Sequence, residues 1–185
     1  MSREPSASAA DLKEFASWLH ERLPPDQDLD QERCAELAGA IAAERRLWEG
    51  LVYHDPNTRY FHQLYRDPHL DVWLICWLNA QDTGYHDHDV SSGAVYVVEG
   101  RLYEDYFVRE EDGWIREQTH EHAAGGLIRF DASYIHGLRH AGGPPATSIH
   151  VYSPALWRMG HYQPDEGGFV RRVSVTYADE LASAV

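Results

Sequence analysis

Hydrophobic residues follow two different periods along this chain, helical at the start and strand-like afterwards. In 9–23 and 29–49 the apolar side chains recur at helical spacing, and Pro24-Pro25 separates the two segments. From about Tyr60 onward, short runs rich in Val, Ile, Tyr and Trp alternate with turns that contain Gly, Asp and Pro. The candidate strands are 71–79, 84–89, 93–99, 101–108, 113–119, 126–130, 134–139, 147–153 and 169–176. This order predicts N-terminal α-helices followed by a mainly β sandwich or barrel.

Two histidines in the predicted strand 84–89 point to a metal site. His86 and His88 stand two apart, and residues two apart on a strand project to the same face, so both imidazoles can reach one metal ion. A third imidazole, His136, lies in another predicted strand. Three neutral His ligands leave a divalent metal with its full charge and with open positions for substrate and oxygen. We therefore predict that His86, His88 and His136 bind one metal ion.

The same H-x-H spacing occurs a second time, at His120 and His122. With 12 His in 185 residues, roughly one such pair is expected by chance. The second pair lies among Glu, Gln and Thr without the alternation of a strand. We expect this pair to lie on a solvated hairpin edge.

The residues around His86 and His88 resemble the first cupin motif, in which H-x-H is followed by an acidic residue and then a glycine that turns the chain. Gly100 takes the position of that glycine. Gly93 takes the position of the acidic ligand. The resemblance therefore implies a cupin jelly-roll β-barrel with a three-His site and no carboxylate ligand.

Further segments are similar to the cysteine dioxygenases. Residues 125–136 correspond to the second cupin motif, although Asp131 and Ser133 replace its proline and glycine. SIHVYSPAL, residues 148–156, is similar to the S-x-H-x-Y-S-P segment of cysteine dioxygenases. Also similar to that family are LICW (74–77), HDH (86–88) and G-x-L-x-E (100–104). These segments occur in the family's order at nearly its spacing.

The resemblance implies an Fe(II)-dependent thiol dioxygenase, which adds both atoms of O2 to the sulfur of a small-molecule thiol and forms a sulfinic acid. Coordination to Fe(II) favours the thiolate form of the substrate. A three-His site suits this chemistry because it adds no negative ligand that would compete with the thiolate. Zinc also fits three His ligands, but it cannot exchange electrons with oxygen.

The resemblance also assigns roles beyond the metal ligands. Tyr152 corresponds to the family's active-site tyrosine, which would donate a hydrogen bond toward oxygen or substrate. His150 on the same strand face would hold that hydroxyl, with Ser148 behind it. The alternative is that three alternating polar residues mark an exposed face. In the animal enzymes a cysteine forms a thioether with this tyrosine, and Gly93 at its position excludes that crosslink here.

Substrate choice is the least determined feature. Cysteine dioxygenases hold the substrate carboxylate with an arginine in a Y-x-R-x-L segment, and alignment with YFHQL places Tyr60 in the tyrosine position and His62 in the arginine position. Histidine is not a conservative replacement for a bidentate guanidinium. Either Arg59, Arg66 or another arginine binds the carboxylate, or the substrate is not cysteine.

Aromatic residues near this segment suggest a different substrate. We expect Tyr60, His62 and Trp77 to contact the substrate. The four aromatic residues of this region could hold a larger or quaternary-ammonium thiol such as ergothioneine through cation–π contacts; they are Tyr53, Tyr60, Trp73 and Trp77. The alternative is that these rings belong to the core. The identity of the thiol therefore stays open at this stage.

Two other functions use the same triad. The first is another three-His cupin oxygenase that acts on a carbon substrate and has no need of His150 and Tyr152. The second is a metal-binding cupin without turnover. Fold alone does not separate these functions.

Length and composition predict a single folding unit. A chain of 185 residues with 43% hydrophobic content is sufficient for one sizeable core. We expect residues 1–50 to form a helical segment packed on the barrel and residues 51–185 to form the cupin domain. We also expect a monomer.

Charge and cysteine content restrict location and partners. Only Cys34 and Cys76 are present, which argues against a disulfide framework and favours a cytoplasmic protein. No apolar run approaches the length of a membrane span, and MSREPSASAA lacks the hydrophobic core of a signal peptide. The net charge of -14 disfavours nucleic acid as a partner.

Overall fold

A computed structural model of the protein describes residues 5, 8–24, 26–109, 115–164 and 170–177. These residues form helices α1 (Ala9–His20) and α2 (Gln31–Ala43), followed by 3-10 turns at Arg45–Leu47 and Glu49–Leu51. The strands are β1 (Tyr60–Arg66), β2 (Asp71–Trp77), β3 (Tyr85–His86), β4 (Ser92–Glu99), β5 (Arg101–Arg109), β6 (Ile115–Ala123), β7 (Leu127–Phe130), β8 (His136–His140), β9 (Ala146–Ser153), β10 (Arg158–Pro164) and β11 (Val170–Tyr177). The prediction of N-terminal helices before a mainly β fold is confirmed. Within the described ranges, no helix has both the length and the apolarity to cross a membrane.

Polar side chains define where both helices begin. The Ser8 hydroxyl accepts a hydrogen bond from the backbone N–H of Asp11, whose carboxylate accepts one from the backbone N–H of Ser8. Asp30 caps α2 in a similar way. Both predicted helices, 9–23 and 29–49, were too long. Glu44 leaves the helical conformation with φ −92 and ψ 63, so 3-10 turns replace the last part of the second one.

The strands form two antiparallel sheets. The five-stranded sheet has the order β1-β2-β9-β4-β7, and the six-stranded sheet has the order β11-β10-β3-β8-β5-β6. One hydrophobic core lies between the helices and the five-stranded sheet. A second core contains residues of both sheets and therefore lies between them. The helices thus cover the outer face of one sheet, while its inner face helps to enclose the candidate site.

Alternation along β9 decides which side chains reach the interior. Every residue of β9 is buried, because the strand lies in the middle of a sheet covered on both faces. Ile149 and Val151 belong to the core beneath the helices, whereas Tyr152 belongs to the core between the sheets. His150 and Ser148 share the face of Tyr152. The alternative that these three polar residues mark an exposed face is therefore wrong.

Two strands were not predicted, one ends earlier than predicted, and β6 extends to Ala123 beyond the predicted 113–119. β1 and β10 were not predicted, because polar residues interrupt their hydrophobic alternation and each has a register shift in its pairing. The predicted strand 84–89 ends at His86. Beyond it, the Asp87 N–H still donates to the Gly160 carbonyl at 2.9 Å, and Asp89 then turns the chain with φ 56. His88 consequently lies just outside β3 rather than within a strand.

Candidate metal centre and substrate cavity

The structure brings His86, His88 and His136 together. His86 ends β3 and His136 begins β8, and the two residues are direct partners across the antiparallel pair. His88 reaches the same point from the loop after β3. Ring nitrogens of the three residues lie within 4.8 Å of one another, and all three side chains are buried.

His86 and His88 are neutral imidazoles that can act as ligands. Burial, with the neighbouring His136, lowers the pKa of His86 to about 3, and burial lowers that of His88 well below its usual range. The Nδ1–H of His86 donates to the Gly84 carbonyl at 3.0 Å, which leaves Nε2 with its lone pair. Neutral rings oriented in this way are the form that metals bind.

A metal ion fits these residues. Nδ1 of His88 is buried and has no hydrogen-bond partner among the residues that the structure describes. Buried polar nitrogen atoms rarely lack a partner, and a bound ion is one explanation for such an exception. Three imidazole nitrogens are a donor set suited to iron, copper, nickel or zinc rather than to magnesium or calcium. His86, His88 and His136 would hold the ion.

Glu104 lies behind His136, away from the other two rings. Its Oε1 accepts hydrogen bonds from Nδ1 of His136 at 2.9 Å and from the Tyr134 hydroxyl at 3.1 Å. Its Oε2 accepts one from Nε2 of His122 at 2.9 Å. Burial raises the pKa of this carboxyl, but hydrogen bonds from His122 and His136 outweigh that effect and lower it to about 2. Glu104 is therefore an anion at neutral pH.

This arrangement corrects the expectation for the second H-x-H pair. β6 is an edge strand, as expected of a hairpin edge, and His120 is exposed. His122 is only 11% exposed and is bonded to Glu104. Sequence reasoning assigned no role to Glu104. The G-x-L-x-E segment that contains it was the feature that could have indicated one.

A hydrogen-bonded chain crosses the inner face of the five-stranded sheet. The Trp77 indole N–H donates to Ser148 Oγ at 2.9 Å, and Ser148 Oγ lies 2.8 Å from Nε2 of His150. Nδ1 of His150 lies 3.1 Å from the Tyr152 hydroxyl. Burial lowers the pKa of His150 well below its usual range and raises that of Tyr152, so both side chains are neutral.

The chain has a defined direction because an indole N–H can only donate and because His150 is the one acceptor that the described residues offer to the Ser148 hydroxyl proton. Ser148 accepts from Trp77 and directs its own proton to Nε2 of His150. A neutral imidazole that accepts at Nε2 carries its proton on Nδ1, which donates to the oxygen of Tyr152. The Tyr152 O–H is then left to donate into the space in front of it.

That space is a cavity of about 130 Å³ bounded by both sheets. His86 and His136 lie in its wall, together with His150 and Tyr152. The other polar lining residues are Arg59, Thr83, His161 and Thr176, and the apolar ones are Phe61, Trp73, Ile75, Leu138, Leu156 and Met159. A small molecule in this cavity would contact the metal cluster, a directed hydroxyl donor and a guanidinium group at once.

A family model described as cysteine dioxygenase type I matches residues 1–164. The chain belongs to the cysteine dioxygenase type I family. A comparison with curated proteins gave no match.

Solved structures similar to this member of the cysteine dioxygenase family include two that are described as cupins. A cupin superfamily protein from Desulfitobacterium hafniense is 11% identical and aligns over 71% of this chain and 94% of its own, with a TM-score of 0.47. An RmlC-like cupin from Ralstonia eutropha is 16% identical over 69% and 72%, with a TM-score of 0.47. A protein from Bacillus halodurans is 20% identical over 78% and 91%, also with a TM-score of 0.47. The predicted mainly β fold, with N-terminal helices before the strands, is seen directly in the two antiparallel sheets of this chain.

The expectation that Tyr60 and His62 contact the substrate requires a correction. Tyr60 and His62 do not line the cavity, and the Tyr60 hydroxyl lies 3.4 Å from Nδ1 of His62 on the face that packs toward the helices. Arg59 lines the cavity instead, and its guanidinium lies over the Trp77 ring at 5.1 Å. Residues three apart along an extended segment face opposite sides, so the side chains of Arg59 and His62 point in different directions. The arginine that lines the cavity is Arg59, and His62 lies outside the cavity.

The expected aromatic cage is not formed. Tyr53 and Tyr60 pack edge to face at 5.4 Å in the core beneath the helices. Trp77 is fully buried behind Arg59 and His150, so it does not reach the cavity itself. Trp73 is the one ring of this predicted group of four that lines the cavity in the part of the chain that the structure describes. Most of these rings therefore belong to the hydrophobic core, as the alternative interpretation of the sequence predicted.

Gly93, which the resemblance places at the position of the crosslinking cysteine, has no room for a side chain. A Cβ atom there would lie 2.4 Å from the Val151 carbonyl oxygen and 2.5 Å from the Phe130 ring. The Phe130 ring stacks on His88 with centroids 4.0 Å apart and lies beside Tyr152. A crosslinking cysteine therefore does not fit, and the phenyl ring supports the metal ligand and the tyrosine by packing.

Proposed function

We propose that the protein is an Fe(II)-dependent thiol dioxygenase that converts a small carboxylate-bearing thiol and O2 into a sulfinic acid. The observation that supports this most directly is that one cavity is lined by His86 and His136 of the three-His cluster, by Tyr152 and by Arg59. Each of these groups serves one part of such a substrate: the sulfur, the oxygen and the carboxylate.

Arg59 is suited to bind an anion. Its Nε is buried and has no hydrogen-bond partner among the residues that the structure describes, while another of its nitrogens donates to the Asp82 carbonyl. Burial lowers its pKa, because nearby charges offset only part of the cost of removing the guanidinium from water. A carboxylate would supply the missing acceptor. Arg66 does not line the cavity, because it is bonded to Asp71 and to the Leu156 carbonyl.

The residues that line the cavity would have separate roles in the reaction. A bound Fe(II) would supply coordination positions and electrons for oxygen and would favour the thiolate over the thiol. Arg59 would orient the carboxylate so that the sulfur points to the cluster. Tyr152 would donate its proton in a hydrogen bond to oxygen or sulfur, and the apolar lining excludes water. The net change is R–SH plus O2 to R–SO2H, with both oxygen atoms bonded to sulfur.

The alternatives lack a comparable feature. An oxygenase that acts on carbon would use the three histidines but would not need the directed chain from Trp77 to Tyr152. A metal-binding cupin without turnover would need neither that chain nor Arg59. The protein's own thiols are poor substrates, since burial raises the pKa of Cys34 to about 12 and that of Cys76 to about 11.

We expect the iron-loaded protein to consume O2 in the presence of cysteine or 3-mercaptopropionate and to release the matching sulfinic acid. The measurement is oxygen uptake under 18O2 with mass analysis of the product, because both labelled atoms must appear on sulfur. The zinc-loaded protein is the control and should be inactive. Iron binding without uptake for any thiol would contradict the proposed function, as would label found on carbon.

We expect Arg59→Leu to lower kcat/KM for thiols that carry a carboxylate and to leave cysteamine turnover nearly unchanged. A hydrogen bond to a charged group contributes about 1.5–3 kcal/mol, which corresponds to roughly ten- to a hundredfold in kcat/KM. Arg59→Lys should recover part of the loss, since it keeps the charge but not the planar fork. Equal losses for cysteine and cysteamine would show that Arg59 acts on the fold rather than on the carboxylate.

A further inference from the structure

The side chain of Glu104 links three neighbouring strands of the six-stranded sheet by hydrogen bonds. It lies on β5, between β8, which carries His136, and β6, which carries His122. Its two carboxylate oxygens accept three side-chain hydrogen bonds, from His136 and Tyr134 at one oxygen and from His122 at the other. The residue is 4% exposed. A buried carboxylate held so fully has one orientation, and that orientation faces a ligand of the candidate metal centre.

The contact with His136 determines which nitrogen faces the cluster. Because the carboxylate accepts only, the imidazole must carry its proton on Nδ1 and present the lone pair of Nε2. A carboxylate at this position also draws the Nδ1 proton toward itself, which makes the ring a stronger electron donor to a metal ion. The Glu104 carboxylate therefore places a negative charge in contact with one ligand of the three-His cluster, although no ligand of the cluster is itself a carboxylate.

His122 supplies the second support of the carboxylate. Its Nε2 lies 2.9 Å from Oε2 of Glu104, and its side chain is largely buried although β6 is an edge strand. His120, two residues earlier on the same strand, is exposed and contacts the His122 ring at 4.6 Å. The two histidines of this pair therefore differ in environment, and only His122 is hydrogen-bonded to Glu104 in the described residues.

We propose that Glu104 and His122 are positioning residues of the metal centre, which fix the tautomer of His136 and strengthen it as a ligand. This inference rests on the proposed function for the existence of the metal site. It adds that His122, from the second H-x-H pair, affects both the affinity of the site for the metal ion and the ligand field at that ion. Loss of such an outer hydrogen-bond partner commonly weakens metal binding by about ten- to a hundredfold.

The test is titration of the full-length apoprotein with Co(II), followed by its visible absorption. We expect Glu104→Gln to weaken Co(II) binding by about ten- to a hundredfold and to shift the Co(II) absorption bands, because the amide keeps the shape but removes the charge. Both readouts report the ligand field and are independent of turnover. Thermal unfolding of the apoprotein, measured in parallel, separates this effect from loss of folding.

The His122 variants keep the test decisive if Glu104→Gln does not fold. His122→Leu should weaken Co(II) binding in the same direction, since it removes the donor to Oε2. His122→Gln should restore most of the affinity, because its amide N–H can donate to the same oxygen. His120→Ala is the matched control on the same strand and should bind Co(II) as the unaltered protein does.

The outcomes distinguish this inference from the function on which it rests. If the unaltered protein binds Co(II) and His136→Ala does not, the metal site stands. Glu104→Gln and His122→Leu with unchanged affinity and unchanged spectra would then overturn the positioning role alone. If the unaltered protein fails to bind Co(II), the metal site is wrong and the positioning role falls with it.

Discussion

Replacing His136 by alanine is expected to abolish stable iron binding and all thiol oxidation. His136 supplies one of only three ligand nitrogens in the cluster, so its loss removes a bond to the metal rather than an outer contact. The affinity should therefore fall by far more than the roughly ten- to hundredfold that follows loss of an outer partner. The measurement is iron content after anaerobic loading and desalting, together with oxygen uptake.

His140→Ala is the matched control for this prediction. His140 lies on the same strand, but its ring nitrogens are bonded to the Pro144 carbonyl and to the Gly142 N–H. The cluster that the structure forms does not include it. His140→Ala should retain iron. Full iron occupancy in His136→Ala would rule out the proposed triad.

Replacing Tyr152 by phenylalanine is expected to lower turnover by on the order of a hundredfold while iron content stays unchanged. Phenylalanine keeps the ring that packs against His88 and Phe130 but removes the only proton that the Trp77–Ser148–His150 chain directs into the cavity. The effect should appear mainly in kcat, since Arg59 would still bind the carboxylate. The measurement is steady-state oxygen uptake with product analysis.

Trp77→Phe tests whether the direction of the chain matters. Without the indole N–H, Ser148 no longer has to send its proton to His150, so the His150 tautomer and the Tyr152 donor are no longer fixed. We expect a smaller loss of turnover than in Tyr152→Phe, with iron retained. Unchanged turnover in Tyr152→Phe would contradict the assigned role of the hydroxyl.

The N-terminal helices, the mainly β fold and the family could be predicted from sequence because each depends on patterns within short segments. Hydrophobic periods of about 3.6 and 2 residues distinguish helices from strands wherever one face is buried. The strands that escaped prediction, β1 and β10, are those whose polar residues break the period. His86 and His88 were recognisable for the same local reason, although His88 reaches the cluster from a loop and not from the strand face that the spacing implied.

The arginine of the cavity was decided by the tertiary structure. Arg59 and His62 lie three residues apart, and residues an odd number apart along an extended segment face opposite sides. Only the packing of β1 beneath the helices shows that Tyr60 faces the helices and that Arg59 faces the cavity. The alternative that the substrate is not cysteine rested on His62 in the arginine position, and the presence of Arg59 in the cavity removes that support.

The sequence by itself determined the fold class and the histidines that can form the cluster, since both follow from local spacing and family motifs. The tertiary structure alone decided what surrounds that cluster. Glu104, His122 and His136 are far apart in the chain and meet because three strands are neighbours in one sheet. Hydrogen bonds of this kind depend on strand order and register, which result from the packing of the whole chain and leave no periodic pattern in the sequence.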